Sequence, residues 1–137
     1  MRTALIVQIA FAAGTLGAPS FARSSDCNIP KVDGIGLFNV ADGQALQHSL
    51  ATNNLSNSPG ANFALKALNT QTFNSGTAKV CVTNPFVFSN THVALSDVAS
   101  AVNSLLQECG SAGGELTIKG DTGLKVSVFV QPTGGPC

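Results

Sequence analysis

His92, Ser96 and Asp97 bring the three side-chain types of a hydrolase triad into one short stretch. In such a triad a carboxylate orients an imidazole that takes the proton of a serine hydroxyl. The neighbouring residues argue for another use. Ser96 stands just before an apolar-periodic run and is placed to cap a helix, Asp97 falls in its first turn where the helix dipole favours a carboxylate, and no nucleophile elbow surrounds the serine. His48 and His92 are the two histidines, and neither has a second metal ligand near it in sequence. Glycoside hydrolysis needs two carboxyl groups facing across a cleft. Asp97, Glu108, Glu115 and Asp121 instead read as helix ends, a strand start and a turn, where solvated charges ordinarily sit. Gly34-Ile35-Gly36 is too short for a dinucleotide fingerprint, and no Walker-type phosphate loop occurs. The expectation is a non-enzymatic protein with no catalytic residue, no cofactor site and no metal site.

Composition points the same way. The 137 residues suit one domain, and seven basic against seven acidic side chains give zero formal net charge. With 10% charged and 44% hydrophobic residues the chain lies far from the disordered class, and it lacks the clustered Lys and Arg that a nucleic-acid partner requires. Eight Phe without any Trp or Tyr favour core filling over sugar platforms, which use Trp and Tyr for their polar tips.

Residues 1–22 read as a secretory signal. Arg2 supplies the positive start, Ala4 to Ala13 form an apolar run, and Ser20-Phe21-Ala22 offers small residues at the two peptidase positions, so cleavage is expected before Arg23. The remaining 23–137 form a single secreted, extracellular domain with one acidic charge in excess and no membrane span. Its four cysteines, Cys27, Cys81, Cys109 and Cys137, argue for two disulfides, since an exported short chain with an even count and no Cys-x-x-Cys fits a crosslinked scaffold better than a metal site. Three pairings are open. Asn54-Leu55-Ser56 is a glycosylation sequon in a loop by composition.

The elements that would hold these residues follow from periodicity. An N-terminal arm over 23–34 is fastened by Cys27, Ile35 to Val40 reads as a first strand, and Asp42 caps a helix to Leu50. Residues 61–73 fit strand or short helix, Thr77 to Thr83 is a bounded strand, and Phe86 to Val93 continues as an extended segment. Val98, Val102, Leu105, Leu106 and Cys109 share one helix face that ends at Gly110. Leu116 and Ile118, then Val126, Val128 and Val130, alternate with more polar neighbours around Gly120-Asp121-Thr122-Gly123, which predicts a β-hairpin. The class is α+β: an antiparallel sheet with helices packed on one face, an α/β sandwich with two disulfides.

Ala78-Lys79-Val80-Cys81, the apolar helix ending in Cys109, and the Gly-rich turn leading to Leu124-Lys125-Val126-Ser127-Val128 and the terminal Cys137 carry a resemblance. Over residues 76–137, with Cys27 as an outlying match, the chain resembles the killer-protein-4-like family of smut-fungus toxins, within the small secreted cysteine-rich proteins of fungi. The resemblance implies an α/β sandwich, with Cys81 bonded to Cys137 and Cys27 to Cys109; the competing pairing joins Cys81 to Cys109 and Cys27 to Cys137. It also implies growth inhibition through calcium channels, with Lys79 at the position of the functional Lys. Unlike that family, this chain is nearly neutral and lacks the Arg residues directly before that Lys. The leading expectation is therefore a secreted fungal effector or virulence-type protein that binds an extracellular protein or membrane target of a host or competitor. The alternative is a killer-toxin-like antimicrobial protein.

Overall fold

The structure, a computed structural model, describes residues 26–27 and 36–137. The signal segment 1–22 and most of the arm over 23–34 lie outside the described residues. The elements run α1 (Val40–Ala51), β1 (Asn62–Leu65), β2 (Thr70–Ser75), β3 (Ala78–Thr83), β4 (Thr91–Ala94), α2 (Leu95–Cys109), a 3-10 turn (Gly110–Ala112), β5 (Gly114–Lys119) and β6 (Lys125–Pro132). The fold is α+β. Four antiparallel strands in the order β2-β3-β6-β5 make the main sheet, and β1 with β4 makes a second, two-stranded sheet that the sequence did not suggest.

The core follows from alternation. Val80 and Val82 on β3, Val126, Val128 and Val130 on β6, and Leu116 and Ile118 on β5 face one side of the sheet and are buried. Val98, Val102 and Leu105 from α2 and Leu46 and Leu50 from α1 close over that face. Each such side chain contributes roughly 1.5–3 kcal/mol by leaving water. The opposite face carries Lys79, Cys81, Phe129 and Gln131, and the last residues of the chain fold back across it. There Gln131 Nε2 donates to the Pro136 carbonyl at 2.7 Å, Lys79 Nζ donates to the Gly135 carbonyl, and the Cys81–Cys137 disulfide bolts the end down. The second disulfide joins Cys27 to Cys109 at the end of α2, next to an antiparallel bridge between Asp26 and Glu115 on β5.

Several local expectations need correction. Residues 36–39 form no strand, and Val40 opens α1. The helix starts early because Asn39, not Asp42, is its cap: Asn39 Oδ1 accepts from the Ala41 N–H at 2.9 Å, while the Asn39 N–H donates to Thr77 Oγ1 at 2.7 Å. Asp42 is thereby free for a longer reach, and its Oδ2 accepts from the Thr77 N–H at 2.8 Å and hydroxyl at 2.6 Å, tying α1 to the β2–β3 turn. That turn needs glycine, since Gly76 has φ +55° and a Cβ there would stand 2.5 Å from the Asp42 carboxylate. Helix α2 likewise begins before Ser96. Its cap position is Ala94, with no side-chain bond, and the Leu95 N–H is satisfied by the Ala61 carbonyl at 2.8 Å, so the edge of β1 does the work expected of a serine. The ambiguous stretch 61–73 is β1, a turn and the first part of β2, and the extended segment over 86–93 shrinks to β4.

The Cys81–Cys137 bond closes a separation of 56 positions. Replacing both residues by Ser should lower the unfolding free energy by about 4 kcal/mol, read from urea unfolding as a lower midpoint with a slope that rises as the opened loop lets the unfolded chain expand.

Candidate functional site

The loops β1–β2 (66–69) and β3–β4 (84–90) meet at one end of the molecule, and a buried polar side chain joins them. Asn84 is fully buried, its Nδ2 donating to the Leu65 carbonyl at 3.2 Å and the Ser89 carbonyl at 2.8 Å, while its Oδ1 accepts from the Phe86 N–H at 3.1 Å. Its own N–H donates to the Asn69 carbonyl at 3.0 Å, and the Leu68 N–H donates to the Phe86 carbonyl at 3.1 Å. Asn90 repeats the device, with Oδ1 accepting from the Ala67 N–H at 2.9 Å. Backbone groups that a loop would leave to water are thus paired within the protein.

With polar ties holding the backbone, the apolar side chains are left outside. Phe88 is 96% exposed, Leu68 62% and Val87 57%, with Phe86 also exposed. Four of the five exposed large hydrophobics among the described residues fall in these two loops; the fifth, Leu37, precedes α1. Singly exposed hydrophobics are ordinary, but four gathered on one pair of cross-bonded loops form a patch of the kind that marks an interaction site. Sequence reasoning missed it by reading Phe86 to Val93 as one extended segment and the phenylalanines as core. Asn84-Pro85 was the available signal, because an Asx residue before proline starts a turn.

The hairpin turn 120–123 abuts the same end. Asp121 Oδ1 accepts from the His92 N–H at 2.9 Å and the Thr91 hydroxyl at 3.2 Å, and Oδ2 lies 3.2 Å from His92 Nδ1. The Thr122 hydroxyl donates to Thr91 Oγ1 at 2.8 Å, and a Cβ on Gly120 would collide with that same oxygen. His92 therefore has a carboxylate partner, but it is Asp121 from across the fold and not Asp97, which sits in the first turn of α2 beside Ser96. Both members of the pair are well exposed, and the hydroxyl beside them, on Thr91, is buried and already bonded within the turn. The cluster is a clasp holding the hairpin to β4. The bond from the His92 backbone N–H is the largest influence on the Asp121 carboxyl and, with the Thr91 hydroxyl and the His92 ring, holds it below the usual carboxylate range against the opposing effect of burial.

The remaining singled-out residues are dispersed. Lys79 is only 9% exposed, with its amine turned onto the Gly135 carbonyl under the C-terminal tail. Asn54 is exposed in the loop after α1, and His48 is exposed on α1. Glu108 lies near the end of α2, and Glu115 near the start of β5. Among the described residues no group of three or more His, Cys, Asp or Glu could hold a metal ion. No protein-family model matches the chain, and no curated protein is similar to it in sequence.

Asn84→Ala would strip partners from the Leu65 and Ser89 carbonyls and the Phe86 N–H. It should cost about 1–3 kcal/mol in urea unfolding and speed amide exchange at 66–69 and 84–90 ahead of the core. Asp121→Asn tests the clasp by pH. A depressed folded-state pKa contributes stability above the unfolded pKa of about 4 and loses it as pH falls through the folded value. The variant should therefore melt below the parent at neutral pH, with the gap closing as the pH falls below about 4 and Asp121 of the parent takes up its proton.

Proposed function

We propose that this is a secreted, non-enzymatic binding protein of the fungal effector type, which engages an extracellular target through the tip formed by Leu68, Phe86, Val87 and Phe88. The carrying observation is that these side chains stand in solvent on loops whose backbones are pinned by Asn84 and Asn90. A preordered apolar tip gives up little conformational freedom on docking, so more of its burial appears as affinity. Two disulfides are compatible with life outside the cell, where crosslinks persist and proteases attack frayed chains. Among the described residues no helix is long and apolar enough to cross a membrane.

The alternative, a killer-toxin-like growth inhibitor acting on ion channels through Lys79, asks more of the molecule. The Lys79 amine already serves the Gly135 carbonyl, and the side chain is almost wholly covered beside a tail tied down by the Cys81–Cys137 bond.

Fluorescent protein should bind at least one of a panel of intact plant, fungal and bacterial cells. Val87→Ser with Phe88→Ser should weaken that binding at least tenfold with little change in Tm, since these are the two most exposed side chains of the β3–β4 loop and have little packing to lose. Equal binding by parent and variant, or none by the parent, would overturn the reading. Growth inhibition that survives the tip variant but is lost in Lys79→Ala would establish the toxin alternative.

A further inference from the structure

We infer that the target of the tip is an anionic lipid surface, into which the phenylalanines insert while lysines around them meet the headgroups. This rests on the reading of the tip as the binding site and adds the chemistry of its partner.

The topology gathers charge where the apolar residues are. Lys66 follows β1 directly, and its carbonyl accepts from the Asn69 N–H inside the first tip loop. Thr83 at the end of β3 pairs with Ser127 near the start of β6, so Lys125 and its partner Lys119 lie at the same end of the sheet as Pro85 and Phe86. The bonds from Thr91 and Thr122 hold the intervening turn against β4, beside the tip. Of the four lysines among the described residues, Lys66, Lys119 and Lys125 are exposed and all stand at this end; the fourth, Lys79, is buried towards the other.

Carboxylates are sparse there. The sequence has no Asp or Glu between Asp42 and Asp97, the whole length that supplies both tip loops. Asp121 is the acidic residue of the β5–β6 turn, and its oxygens engage Thr91 and His92. Lys119 and Lys125 meanwhile stand directly opposite each other across the β5–β6 ladder, a like-charge pairing that works against the hairpin. An anionic surface would relieve that repulsion.

The arrangement also discriminates among occupants. A second copy docked tip to tip would bring six lysines together around the apolar contact. A protruding Phe88 with 96% of its surface in solvent has the shape to enter a soft interface. Partly buried apolar side chains and basic residues beside anionic headgroups are the two additive contributions to binding at a lipid surface.

The test is flotation of the full secreted chain with vesicles of phosphatidylcholine alone and with 30% phosphatidylserine. The parent should partition into the phosphatidylserine vesicles at least tenfold more strongly, and lose that advantage in 0.5 M salt, where the Debye length drops to about 4 Å. Lys119→Gln with Lys125→Gln should weaken partitioning about 25-fold, at about fivefold per lysine. That pair of substitutions removes a repulsion and is expected to leave Tm unchanged or raised, which separates lost binding from lost folding. Phe88→Ser should weaken partitioning at least tenfold on the same vesicles. Equal partitioning into both vesicle types, or none into either, would overturn the lipid assignment. If the parent bound intact cells through Phe88 yet ignored vesicles, the tip would stand as the binding site with a protein as its partner.

Discussion

Val80, Val82, Val126, Val128 and Val130 are all fully buried, and they can be so only in one register of β3 against β6, the two central strands of the sheet. A slip of one residue would carry Lys79, Cys81 and Gln131 into the apolar layer under the helices and turn the valines to the other side. With the register as it is, Lys79 and Gln131 sit opposite each other on the outer face, where both can reach the carbonyls of the C-terminal tail. The same register places Cys81 where Cys137 can close on it. It also fixes which ends of the strands meet, and so delivers the β3–β4 loop and the β5–β6 turn to one pole of the molecule.

The parts legible in the sequence were those governed by periodicity. The hairpin around Gly120-Asp121-Thr122-Gly123 and the apolar stripe of α2 each repeat a spacing that only one element satisfies, the strand before Asn84-Pro85 is marked by its β-branched residues and bounding turns, and each lies where it was read. Helix starts were less legible because Asn39, Asp42 and Ser96 are all competent caps, and the choice among them was made by distant groups. Thr77 captures Asp42, and the Ala61 carbonyl serves α2 in place of Ser96. The β1–β4 ribbon was obscure for a related reason: four-residue strands are too short to show a period, and their pairing depends on contacts made after the chain has folded.

The tip was the least legible feature, because it reverses the usual division of labour in a loop. Compact loops of this size are commonly ordered by packing their own side chains inwards. Here Asn84 supplies the order through three side-chain hydrogen bonds, and the phenylalanines that would otherwise form the loop's interior remain outside. A sequence shows phenylalanines and an asparagine without showing which of them is buried. Hydrophobicity alone assigns them the wrong way round.

That reversal bears on what the tip is able to do. An apolar loop held by its own packing exposes its side chains only by giving up the contacts that order it, so binding and unfolding compete. An apolar loop held by a buried amide keeps its order in both states, since the bonds of Asn84 do not involve Phe88 and need not break when Phe88 finds a partner. The cost falls instead on the free protein, which carries bare phenyl surface in water and tends to associate through it. Lys66, Lys119 and Lys125 at the same pole oppose that tendency by mutual repulsion between copies, and the repulsion turns to attraction only when the facing surface is negative. The charges thus stand where bare apolar surface would otherwise favour self-association.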